Sequence, residues 1–284
     1  MSVPPSQVTV ESPLFGAIGA VARDIAELLR ANPDADTGTD PDTDTNADTG
    51  VRIPGAEWTV GEAAAHLVLA NELMADLAAG RKRTYGDGTA GSLAAANAAS
   101  LAVFTERDGS VLADGIVRHA KAFTEAAGPR PPDEPVVTPL GPMDLATLGS
   151  YLLTHMLGHG YDIAVALRRP HMIDRERVDL TLPFLITAMP WVVDRSAAAG
   201  HSACYDLRLR GGARFAATFT DGTLAVTADV PRRPDCTILA EPVTFLLLAL
   251  GRRTSMGALT RGKILAWGRK PWLAPGFPAL FTAP

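Results

Sequence analysis

Lysine is nearly missing from this chain: of 26 basic residues, only Lys82, Lys121, Lys263 and Lys270 are lysines. Together with abundant Ala, Gly, Pro and Asp, that bias suggests a GC-rich genome. Cysteine is scarcer still. Cys204 and Cys236 cannot build a disulfide framework and show no CxxC spacing. They read as reduced thiols of a cytoplasmic protein, with a single disulfide as the alternative. Long apolar runs are lacking as well. The longest, Phe245 to Leu250, is far short of the ~20 residues a membrane helix needs, so no membrane partner is expected. Met1 to Pro5 lack the charged and apolar regions of a signal peptide. Nor is there an excess of positive charge. The net charge is −5, and the clusters Arg81-Lys82-Arg83 and Arg252-Arg253 are short, so a general nucleic-acid binder is not expected.

What is present is globular composition, 47% hydrophobic and 20% charged over 284 residues, enough for one large domain or two ordinary ones. Apolar residues at helical spacing (Leu14, Ile18, Val21, Ile25, Leu28, Leu29) predict a helix over 12–30. Asn32 to Gly50 is rich in Asp, Thr, Gly and Pro with almost nothing apolar, and reads as a mobile loop. Its aspartates do not make an EF-hand, because from Asp40 the pattern meets Thr45 and Val51 where Gly and Glu are required. Thr59 and Glu62 have capping-box spacing and open a helix running to about 79. Helices follow over about 91–106, 109–127 and 144–168, with a Pro-rich loop between the last two. Long amphipathic segments with loops between them argue a helical bundle.

Beyond Ile173 the pattern changes. Residues 176–199 still read as helical, interrupted by Pro183 and Pro190. Alternating stretches at 204–210, 214–220 and 224–229 are then separated by Gly211-Gly212 and by Asp221-Gly222, the latter a strong hairpin signal. A strand at 236–239, an apolar helix at 241–250 and a strand at 263–268 complete an α+β half. The expected division is a bundle over 1–172, with 32–50 as its loop, and a connecting helix with the α+β domain over 173–284.

The chemistry points to histidine. His155 and His159 stand at i and i+4 on one helix face, a spacing that lets both imidazoles reach one ion at ~2.0–2.1 Å. Met156 follows the first of them, so the general base of an HExxH protease is missing. His66 lies mid-helix among small apolar residues, on a face that a bundle can bring against His155 and His159. Three protein ligands leave open positions, which is the arrangement of a catalytic site. Gly86-Asp87-Gly88-Thr89-Ala90-Gly91 matches a dinucleotide fingerprint in letters only, since it follows a helix and not a strand. Ser255 lacks the G-x-S-x-G elbow.

These motifs carry a resemblance. Glu57-Trp58-Thr59-Val60 with Ala65-His66-Leu67, then Thr154-His155 and His159-Gly160-Tyr161-Asp162, resemble the DinB-like bundle of mycothiol-dependent maleylpyruvate isomerases. Asp235-Cys236-Thr237-Ile238, Glu241 to Phe245, Gly251-Arg252, Gly262-Lys263 and Gly268 to Pro271 resemble the sterol-carrier-protein-like domain that members append. The resemblance implies a four-helix bundle followed by a smaller sterol-carrier-protein-like α+β domain. It implies His66, His155 and His159 as ligands of a divalent metal, zinc first. Some members have a carboxylate at the position of His155, so this site is all imidazole and its metal more electrophilic. Asp162 falls on the family's aspartate, either orienting an imidazole or bonding between helices. Mycothiol is the implied thiol cosubstrate and a small electrophile the substrate, with cis–trans isomerisation or thiol S-transfer as the outcome. No side chain is expected to act as the nucleophile. Arg252 and Arg269 are weak candidates for holding a substrate anion. The alternative is a lipid or sterol carrier whose bundle binds metal without catalysis, with Phe245 to Leu248 lining a pocket.

Overall fold

A computed structural model describes residues 12–31, 47–87 and 90–282. Four helices form the N-terminal bundle: α1 (Pro13–Arg30), α2 (Val60–Ala78), α4 (Gly109–Ala127) and α5 (Leu145–Ala166). Helices α1 and α2 each pack against both α4 and α5. Ile18, Val21, Ile25 and Leu29 of α1 are fully buried, at the spacing that predicted the helix. Helix α3 (Leu93–Val103) lies outside the ring and buries no residue completely. The capping box that opens α2 is formed. Glu62 N–H donates to Thr59 Oγ1 at 3.2 Å, and Thr59 N–H donates to Glu62 Oε2 at 2.8 Å. Close approach is built into α5 at Gly160, where a Cβ would meet Ile25 Cγ1 of α1 and Met172 Sδ at 3.0 Å each.

The Pro-rich loop expected between α4 and α5 contains a two-stranded ribbon instead, β1 (Pro135–Thr138) against β2 (Gly141–Asp144). Its prolines are tolerated because a two-stranded ribbon has two edges, and an edge residue does not need to donate to a ladder. Most of the Asp-rich tract, 32–46, lies outside the described residues. Its last residues belong to the bundle: Ala47 is 7% exposed and its N–H donates to Leu29 O, while Thr49 O accepts from Gly61 N–H.

Helix α6 (Arg175–Ala188) packs along α5 and also touches α7 (Pro242–Ala249). The helical stretch expected to reach 199 ends earlier, in a 3-10 turn over Met189–Val192 that Pro190 initiates. The C-terminal sheet has the order β5-β4-β3-β6-β7, with β3 (Ala203–Leu209), β4 (Arg214–Thr220), β5 (Thr223–Thr227), β6 (Cys236–Ala240) and β7 (Ile264–Trp267). All neighbours are antiparallel except β3 and β6. The β4–β5 turn has positive φ at both Asp221 (47°) and Gly222 (78°), the conformation of a type I′ hairpin. Alternate residues Tyr205, Leu207 and Leu209 of β3 and Phe215, Ala217 and Phe219 of β4 are buried. Leu246 and Leu247 of α7 are fully buried too. A short helix α8 (Ser255–Thr260) leads into β7. Chain architecture is therefore a helical N-terminal region followed by an α+β sheet region. No described helix is long and apolar enough to cross a membrane, and both cysteines are free thiols.

Candidate metal centre

Three histidines from two helices meet in the bundle. One ring nitrogen from each of His66, His155 and His159 lies within 4.8 Å of the others. His66 Nε2 and His155 Nε2 are 3.0 Å apart, about the separation of two ligands each ~2.0–2.1 Å from one ion. The local structure explains the convergence. His155 and His159 are one turn apart on α5, and α2 crosses beside them with His66 at 4% exposure. Trp58 covers the group, its ring centroid 4.9 Å from that of His66 and 5.8 Å from that of His159. It is held there by backbone pairing of the segment before α2, in which Ile53 N–H donates to Trp58 O and Val60 N–H to Val51 O.

The electrostatics keep His66 and His155 uncharged. Burial, reinforced by His159, lowers the His66 pKa to about 3. Burial, reinforced by His159 and then His66, pushes His155 well below the usual imidazole value. A neutral imidazole has the free lone pair that coordination requires. His155 Nδ1 is buried without a hydrogen-bond partner among the described residues. His159 Nδ1 faces Asp162 Oδ2 at 3.5 Å. Burial by itself would raise the Asp162 pKa, but hydrogen bonds from His159 and Arg252 outweigh it and hold the carboxyl below its ordinary value.

Arg252 is the contribution of the second half of the chain. Its Nε donates to Asp162 Oδ1 at 3.1 Å and its Nη2 to Oδ2 at 2.8 Å, a two-point clamp that fixes the carboxylate beside His159. Arg269 is not at this centre. It lies at the end of β7, with Nη1 3.9 Å from Asp235 Oδ1. A cleft also opens beside His66 and His155, lined by Tyr85, Asn97, Thr138, Leu148 and Tyr151. Sequence reasoning missed these residues. Tyr151 could have been found from its spacing, since it precedes His155 by four and therefore shares its helix face. It stacks on Phe184 of α6 with centroids 4.4 Å apart.

The family model described as "Mycothiol maleylpyruvate isomerase N-terminal domain" matches residues 18–164, more than half of the chain and all three histidines. Among solved structures, a mycothiol-dependent maleylpyruvate isomerase is similar at 12% identity and a TM-score of 0.45, over 84% of this chain and 88% of that one. The stereoselective inverting sec-alkylsulfatase Pisa1 from Pseudomonas sp. is similar at 16% identity and a TM-score of 0.31, over 49% of this chain. The match spans only 25% of the sulfatase's own length. No curated protein matches the chain.

Proposed function

The chain belongs to the mycothiol maleylpyruvate isomerase N-terminal domain family, and on that footing we propose that it is a metal-dependent enzyme that activates a small thiol, mycothiol, for attack on an electrophilic substrate. One observation carries the reading: three imidazoles, two of them held neutral by burial, have donor atoms within 4.8 Å of one another. The donor set fits a borderline-soft divalent ion, zinc above all, and three protein ligands leave a position for a small molecule. A divalent ion held there supplies thiolate at neutral pH, by depressing a coordinated thiol's pKa below its usual ~8.5.

The remaining work falls to the chain. Asp162 accepts from His159 Nδ1, which leaves the other nitrogen of that ring, Nε2, as the one available to an ion. Arg252 keeps Asp162 ionised and in place. Trp58 shields one side of the group from water, and the cleft with Tyr85, Asn97 and Tyr151 is where an electrophile would lie against the thiol. If the thiol adduct rotates about its former double bond and eliminates the thiol, the reaction is a cis–trans isomerisation. If the C–S bond is kept, it is an S-transfer.

Elemental analysis and a cobalt-substituted sample test the proposal. The wild type should carry about one ion per chain, and His155→Ala/His159→Ala should carry almost none. Mycothiol added to the cobalt form should produce a thiolate-to-metal charge-transfer band. Equal metal in wild type and double variant would remove the site. A fatty acyl or sterol probe that binds, with no spectral response to thiol, would favour the carrier reading instead.

A further inference from the structure

The outer face of the C-terminal sheet concentrates positive charge in a way the acidic chain as a whole does not. Strand register sets two rows of side chains across it. One runs Trp267, Thr237, Asp206, Ala216, and the next runs Leu265, Leu239, Arg208, Arg214. Arg208 and Arg214 are thus directly opposite each other, a like-charged cross-strand pair that is unfavourable without a counter-ion. Asp206 supplies part of one. It is 0% exposed, receives Arg208 Nη2 at 2.6 Å and Arg214 Nε at 2.9 Å, and cancels one charge of the two.

Three more arginines surround this pair. The loop between β5 and β6 brings Arg232 and Arg233 over the same face, and Arg269 reaches it from the end of β7. Asp235 faces Arg269 and Lys270, but among the described residues no carboxylate pairs with Arg232 or Arg233. Pro231 and Pro234 bracket those two residues, restricting the backbone that carries them. The walls line an open groove of about 680 Å³, within the size range of small-ligand pockets. Arg208 also lies over the Trp267 ring, 5.6 Å from its centroid, which leaves the guanidinium held against a rigid wall. The chain's net charge is −5, so this excess is local and not a reflection of overall basicity.

We propose that this groove is a second binding site, separate from the histidine centre, for a small multiply charged anion bearing phosphate or carboxylate groups. Guanidinium forks match both groups in geometry and charge. A ligand anion would complete the neutralisation that Asp206 begins, which accounts for keeping two arginines opposed on adjacent strands. A groove of this size on a chain of net charge −5 suits a small ligand better than an extended polyanion, which would meet acidic surface beyond it.

Calorimetric titration of the full-length protein with tripolyphosphate and with citrate tests the proposal and separates the two ligand chemistries. At least one should bind with an affinity that falls as salt is raised. Arg232→Ala/Arg233→Ala, on an exposed loop, should weaken binding about tenfold or more, since charge-assisted hydrogen bonds are lost. Arg118→Ala/Lys121→Ala removes the same charge from an exposed face of α4 and should change affinity less than about twofold, given screening by salt. Binding of neither anion, or an equal loss in both double variants, would overturn the site. So would a single-stranded oligonucleotide that binds more tightly than either small anion.

Discussion

His159 differs from its two partners in having its second ring nitrogen already engaged. Asp162 takes Nδ1, and the Arg252 clamp stops the carboxylate from turning away. Partners that orient a ligating imidazole commonly govern metal affinity, so Asp162→Asn should weaken binding about 10- to 100-fold while leaving the three ligands in place. Competition against a chelating dye would measure it, and an unchanged affinity would assign Asp162 to bridging the two halves only. At this scale the sequence was partly legible. The i, i+4 spacing marks His155 and His159, and the small apolar surroundings mark His66. The Arg252–Asp162 pair spans 90 residues, and no local pattern records a contact that only packing creates.

Helix α6 contains Pro183, and a neighbouring helix repairs the break. Phe184 N–H would ordinarily donate to Leu180 O, but it donates instead to Ser150 Oγ at 3.1 Å, and Ser150 Oγ–H donates to Leu180 O at 2.8 Å. The hydroxyl stands in for the missing turn and ties α5 to α6. Ser150 is completely buried, so Ser150→Ala leaves a buried donor and acceptor without water. That change should cost about 1–3 kcal/mol, read from the urea midpoint at constant m. A loss below a few tenths would mean that the helix closes its own bond. Element positions followed from periodicity and caps wherever a face is buried, as in α1, α2 and the β4–β5 hairpin. The β1–β2 ribbon was not legible, because Pro135, Gly141 and Pro142 are chain breakers by local rules. What makes a strand of them is the partner segment.

A metal held by the three histidines would join α2 and α5 into one unit, since no preformed site exists in an unfolded chain. An ion that binds only the native state adds about 2.7 kcal/mol at a hundredfold excess over its Kd. For a chain of this size that is roughly 4–5 °C in Tm. Chelation should therefore lower the wild-type Tm by about that much, while His155→Ala/His159→Ala should start low and not respond to chelator in differential scanning calorimetry. An equal response in both would place the stabilising ion elsewhere.

By itself the sequence determined the helical and strand segments, the order of a helical half before an α+β half, and the His155–His159 pair at i, i+4. All of these are written in residues that are near neighbours along the chain or that repeat with the period of a helix or strand. Only the tertiary structure decided that His66 meets the other two imidazoles, that Arg252 clamps Asp162 beside His159 whereas Arg269 lies at the sheet, and that five arginines line a groove on an acidic protein. Those outcomes depend on strand register and helix crossing, which set distances between residues far apart in sequence. Side-chain charge is local, but the field it makes belongs to the fold.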